Sequence, residues 1–186
     1  MSGLDVAIAF QRLRDALFTF LVRGGFHSFG KGSRILLPFR VGGGDRVSIG
    51  RNVLIGASSW LMVPTRDNPG PCIVPHDRVR MNQTSVSAVE SVIIEEGVAI
   101  ARGCYISDHS HGFDDPSTFI RDQPITRVAP VRIGRGAWLG QNVVVLPGVT
   151  IGAGAVIGAN SVVGSDIPAR TVAIGAPARV VRELSR

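Results

Sequence analysis

The sequence predicts an all-β solenoid: a left-handed parallel β-helix of six-residue repeats, with an N-terminal helix before it and one long excursion loop within it. Three observations predict this. Ile133, Leu139, Val145, Ile151, Ile157 and Val163 follow one another at intervals of six without a gap. Three residues after each of the first five stands Gly136, Asn142, Gly148, Gly154 or Asn160. One residue further on, the side chain is small or β-branched: Ala137, Val143, Val149, Ala155 and Ser161.

Each column has a physical meaning. Gly and Asn adopt positive φ at least cost, so their column marks a corner every six residues. The aliphatic column turns inward and stacks on its equivalents in the next coil. The small column also points inward, where less room remains. Three such sides make a triangular prism with about 18 residues per coil. Strands of a β sandwich alternate with a period of two and break at turns about every 8–12 residues. They would not hold one phase of six from Ile133 to Val163.

In chain order, residues 1–25 read as an amphipathic helix. Phe10, Leu13, Leu17, Phe20 and Leu21 recur at helical spacing, and Gly24-Gly25 would end the helix in a left-handed conformation. Asp5, Arg12, Arg14 and Asp15 interrupt the apolar stretch, and no basic segment precedes it. Neither a spanning helix nor a signal peptide is therefore expected. The helix is expected to pack on its own domain or on a neighbouring subunit, with a peripheral membrane contact as the second reading.

The β-helix is expected over residues 35–168. Ile49, Ile55 and Leu61, then Ile94, Ile100 and Ile106, repeat the aliphatic column, with Gly97 and Gly103 on corners. Val47, Val92 and Val131 each stand two residues before a block. Val63 to Val86 contains Pro64, Pro69, Pro71 and Pro75 and reads as a loop or irregular coil, in which Ile73 and Val79 keep the earlier phase. Residues 112–130, with Asp114-Asp115-Pro116 and Pro124, read as a long excursion, where function is often placed. Residues 169–186 are expected to form a closing segment.

Composition bounds the rest. The length of 186 residues fits one domain, and 6% aromatics suit a narrow aliphatic core. A net charge of +6 would suit nucleic acid, an anionic membrane or a phosphate-bearing ligand. With a single lysine (Lys31), no basic block and no interleaved aromatics, nucleic acid is not expected. Cys72 and Cys104 form no C-x-x-C pair, so neither a zinc knuckle nor a disulfide framework is expected, and a reducing, cytoplasmic location is.

Imidazole is the side chain best suited to act as a general base near neutral pH. His109 and His111 flank Ser110 at the mouth of the excursion. Asp108, Asp114 and Asp115 are the nearby carboxylates that would fix a tautomer. Backbone N–H groups near Gly140 are candidates for an oxyanion.

From Ile35 or Val41 to Arg182 the chain resembles the hexapeptide-repeat acyltransferases, most closely the sugar and polysaccharide O-acetyltransferases of the galactoside, maltose and colanic-acid types. Beyond the repeats, the resemblance is carried by ISDHSHGFDD at 106–115, PVRIGRGAWLGQNVVVLPGVTIG at 130–152 and DIPARTVAIGAPARVVREL at 166–184. It implies transfer of an acetyl group from acetyl-coenzyme A to a sugar hydroxyl, in a homotrimer whose sites lie between adjacent prisms. Aligned without a gap, the family's base falls on His111, five residues after Ile106; His109, on the corner column, is the alternative.

The resemblance also implies a coenzyme A groove lined by Trp138, Gly140, Gln141, Ala159, Gly164 and Ser165, with Arg179 and Arg182 for the phosphates. Relatives often carry Thr-Lys where this chain has Gly164-Ser165, so that lysine is missing. Asn82 and Gln83 are the nearest match to the family's acceptor contacts, with Arg121 and Asp122 as further candidates. N-acetylation of an amino sugar, acetylation of serine or a xenobiotic, and a non-catalytic trimeric scaffold are the competing readings. A zinc anhydrase of this fold would need three histidines, and one close pair is present, so no metal is expected.

Overall fold

The computed structural model describes residues 2–65, 67 and 69–185. Among them the strands form three stacks, which the chain visits in rotation. Side one holds Ser28–Phe29, Ser48–Ile49, Ile73–Pro75, Val92–Ile94, Val131–Ile133 and Thr150–Ile151, with a further link from Val47 to Ile73. Side two runs through Arg34–Ile35, Leu54–Ile55, Arg80–Met81, Ala99–Ile100, Trp138–Leu139, Val156–Ile157 and Thr171–Gly175. Side three holds Phe39–Gly42, Ser59–Met62, Ser85–Ser87, Tyr105–Ser107, Val144–Val145 and Val162–Val163. Neighbours within each stack are parallel, until Ala178–Glu183 turns back antiparallel on Thr171–Gly175. Trp138 pairs with Val156 and Val144 with Val162, one 18-residue coil apart.

The inward columns make the core. On side two, Ile35, Ile55, Met81, Ile100, Leu139 and Ile157 are all buried. Burying each such side chain is worth about 1.5–3 kcal/mol. The corners carry the backbone cost. Asn142 and Asn160 have φ of 57° and 60°, and the Asn142 amide donates to Asn160 Oδ1 at 3.1 Å. Asn142→Ala is expected to lower stability by about 1–2 kcal/mol, because alanine resists this conformation. Asn142→Gly, read in the same urea titration, is expected to lose less.

The structure differs from the sequence expectation at three places. The winding starts at Ser28–Phe29, one side before Ile35. Regular coil resumes at Ile73 rather than after Val86, with a slip of two residues. Ile73 pairs with Val92, Pro75 with Ile94 and Met81 with Ile100, so Ile73 and Val79 stand two before the aliphatic column. Pairing across the stack sets register, and an insert between Met62 and Ile73 need not be a multiple of six.

The third difference is the helix, α1 (Gly3–Val22). It starts in a capping box, with Asp5 N–H on Ser2 Oγ and Ser2 N–H on Asp5 Oδ2. It ends in a 3-10 turn over Arg23–Gly25, not in a left-handed glycine. Its apolar stripe does not pack on the coil. Thr19 Oγ1 accepts the N–H of Ile35 at 3.0 Å, and Asp15 Oδ1 accepts that of Leu37 at 3.3 Å. Arg34–Ile35 is the first strand of its stack, and its free edge needs hydrogen-bonding partners. Polar residues of α1 therefore face the coil, with Phe18 and Val22 beside them against the core.

Candidate active site

The histidine segment continues the strand Tyr105–Ser107. Asp108 is fully buried and accepts the N–H groups of Val89 at 3.0 Å, Glu90 at 2.8 Å and Ser91 at 2.7 Å. His109 Nδ1 lies 2.7 Å from Asp108 Oδ1 and donates to it when the carboxyl is ionised. Burial would push the Asp108 carboxyl up; the His109 hydrogen bond and the three backbone donors outweigh it and hold the group below the usual carboxylate range. The His109 side chain is 9% exposed, and its Nε2 lies 3.4 Å from Ser87 Oγ. Ser107 Oγ is 3.4 Å from Nδ1. Both ring nitrogens of His109 thus face groups of its own chain.

His111 is placed otherwise. The exposed His111 lies on a two-residue strand, Ser110–His111, that pairs antiparallel with Ile125–Thr126. This ribbon closes the excursion at its base, where Gly112 N–H donates to Pro124 O at 2.8 Å. Inside the excursion the buried Gln123 amide donates to Asp115 O and Thr118 O, at 2.8 and 2.9 Å. The Asp115 carboxylate is occupied by Ser117 and Thr118. Of the three candidate carboxylates, Asp108 is the one that touches a histidine ring, and that ring is His109. Arg121 and Asp122 pair with each other on the exposed outside of the loop.

The predicted donor-site residues fall on two successive corners. After side three, a cavity of about 470 Å³ is lined by Ser110, Arg127, Val128, Ala129, Leu146, Pro147 and Gly164. It sets the histidine segment beside Gly164, with Ser165 next in the chain. The other set follows side two. Trp138 lies on that side, 51% exposed. Gln141 and Ala159 are exposed on the corner after it, where Asn160 N–H donates to Gln141 O at 2.8 Å. Arg179 and Arg182, also exposed, pair with Ile174 and Val172 at the end of the same stack. Side three separates the two sets.

Asn82 and Gln83 occupy the side-two corner two coils nearer the N-terminus, not the corner of the histidines. Gln83 accepts from Arg102 Nε at 3.0 Å, and the Asn82 amide donates to Ile100 O at 3.3 Å. Gly140 also changes meaning. Its N–H donates to Ile157 O at 2.8 Å and is not free for an oxyanion. A Cβ there would meet Ala159 N at 2.7 Å, so close contact between coils demands glycine. Sequence reasoning passed over Ser87 and Ser107. Their signal is a serine directly after the inward Val86 and Ile106, in strands that stack with Ser87 opposite Ser107. Among the described residues no group of three His, Cys, Asp or Glu side chains is placed to hold a metal ion.

Residues 130–165 match the family described as bacterial transferase hexapeptide (six repeats), and residues 46–68 match the hexapeptide repeat of succinyl-transferase. Nodulation protein L of Rhizobium meliloti is 35% identical over 161 residues, covering 86% of this chain and 72% of that protein. The chain belongs to the hexapeptide-repeat transferases. Another relative of this hexapeptide-repeat transferase is the putative lipopolysaccharide biosynthesis O-acetyl transferase WbbJ of Escherichia coli, 41% identical over 114 residues, 58% of each chain. The transferase spans about a third to three fifths of the length of several curated relatives it matches. Its fold matches galactoside acetyltransferase in complex with coenzyme A, with a TM-score of 0.62 and 28% identity over 89% of this chain and 69% of that one. It also matches AntD, an N-acyltransferase from Bacillus cereus in complex with dTDP and coenzyme A, with a TM-score of 0.75 over 90% of this chain and 89% of that one. At 20% identity the second likeness speaks for the fold alone.

Proposed function

We propose that this chain is an acetyl-coenzyme A-dependent O-acetyltransferase acting on a sugar or polysaccharide hydroxyl, built on a left-handed coil. The observation that carries the reading is the split of the predicted site between two corners. Trp138, Gln141, Ala159, Arg179 and Arg182 stand along one, and Ser110 and Gly164 along the next, with His111 following Ser110 in the chain. Adjacent prisms of a homotrimer would bring the two sets together around one ligand. The same packing would bring the Asn82–Gln83 corner of one chain toward the histidines of another. A cytoplasmic location suits the two free, buried cysteines.

Acetyl-coenzyme A supplies the activated acetyl group. His111 takes the proton of the acceptor hydroxyl as its oxygen attacks the thioester carbonyl, and gives that proton to the departing thiolate as the C–S bond breaks. Its exposure leaves it reachable by an acceptor, while both nitrogens of His109 are already engaged. Asp108 and His109 hold the strand exit from which His111 projects. Arg179 and Arg182 take phosphates, and Trp138 flanks the donor. A second reading makes His109 the base, favoured by its contact with Asp108. The test is release of free thiol from acetyl-coenzyme A with a panel of sugars and amino sugars. Turnover is expected with hydroxyl acceptors. Turnover confined to amino sugars would turn the reading to N-acetylation, and none at all would leave the scaffold.

A further inference from the structure

α1 is built inside out. Asp15 and Thr19 face the coil, and the opposite side carries Val6, Phe10, Leu13, Leu17, Phe20 and Leu21, each half or more exposed. At 3.6 residues per turn these six fall on one face. Arg14 borders that face on one flank, while Arg12 falls beside Thr19 on the side away from it. Arg23 follows at the helix end, with its guanidinium 4.4 Å from the Phe20 ring centre. The helix's acids lie off the face: Asp15 is buried and paired with Arg14, and Asp5 belongs to the N-terminal capping box.

A second feature adjoins it. A groove of about 430 Å³ runs beside α1, lined by Phe20, Arg23, Lys31 and Arg34 among others, with no acidic side chain in its lining. No described helix is long and apolar enough to cross a membrane. An apolar face with arginines on its rim and a cationic groove alongside matches the boundary of an anionic bilayer. Apolar side chains enter the acyl region, and guanidinium groups stay at the headgroups. A second copy of the same face would bring like charges together at the rim.

We propose that α1 lies in the surface of an anionic phospholipid bilayer, with lipid phosphates held by Arg23, Lys31 and Arg34. The inference stands apart from acetyl transfer. The test is co-sedimentation of the full chain with vesicles of phosphatidylcholine alone, or of equal parts phosphatidylcholine and phosphatidylglycerol. Partition into the anionic vesicles is expected to be at least about tenfold stronger and to weaken with salt. Leu13→Ser with Leu17→Ser, both on the exposed face, should abolish binding with the urea midpoint unchanged. Arg23→Gln with Lys31→Gln and Arg34→Gln should remove the preference for anionic lipid. The proposal fails if wild type stays in the supernatant with both vesicles, or if the leucine variant sediments like wild type. It fails equally if light scattering shows that the leucine variant contains fewer chains per particle, since a second copy then covers the face.

Discussion

His111→Ala is expected to lower kcat for acetyl transfer by about 10²–10⁴-fold, the range a positioned general base contributes. The chain should stay folded, because His111 is exposed and sits on a two-residue ribbon outside the stacked core. KM for acetyl-coenzyme A should move little, since Trp138, Gln141, Ala159, Arg179 and Arg182 stand along the other corner. His109→Ala is expected to do the reverse. It removes a hydrogen bond to a buried carboxylate, which costs about 1.5–3 kcal/mol of stability, and leaves kcat within about tenfold of wild type. Steady-state kinetics and urea unfolding on the two variants separate the readings. A collapse of kcat in His109→Ala beside near-normal turnover in His111→Ala would make the Asp108–His109 pair the catalytic one.

How far the sequence could be read depends on which force sets each feature. The inward columns from Ile133 to Val163 were legible because the coil itself imposes their period. The slip at Ile73 was not, because strands re-register wherever pairing and burial are best. The stripe on α1 could be seen, but not its direction. Only the three-dimensional fold reveals that the free edge of Arg34–Ile35 draws Asp15 and Thr19 inward and turns the leucines out. The histidine pair stood out as a segment. Its surroundings did not, because the partners of Asp108 are backbone groups one coil earlier, and Ser87 meets His109 only through stacking. Gly140 read as a donor because glycine tolerates many roles; here the spacing between coils fixes it.

Asp108→Ala is expected to be the most destabilising single substitution in the site. The carboxylate satisfies three backbone N–H groups and a histidine inside the protein. Removing it leaves those donors unpaired where water is scarce, at a cost of about 3–5 kcal/mol. For a chain of this length that is on the order of 10 °C in Tm. Asp108→Asn keeps the shape and one acceptor oxygen, and should lose less. The pH dependence has a definite sign. The folded value of Asp108 lies below its unfolded one, near about 3.9, so its stabilisation is fully present above that value. It is lost as pH falls below about 4 and on through the folded value. Asp77, Glu95 and Asp115 are also held low and add to the raw acid lability, so the decisive quantity is the difference between wild type and Asp108→Ala. That difference, from urea unfolding at stepped pH, should narrow below about pH 4. A gap that stays constant through the acid range would mean that Asp108 acts by shape alone and that its charge contributes nothing to holding the strand exit.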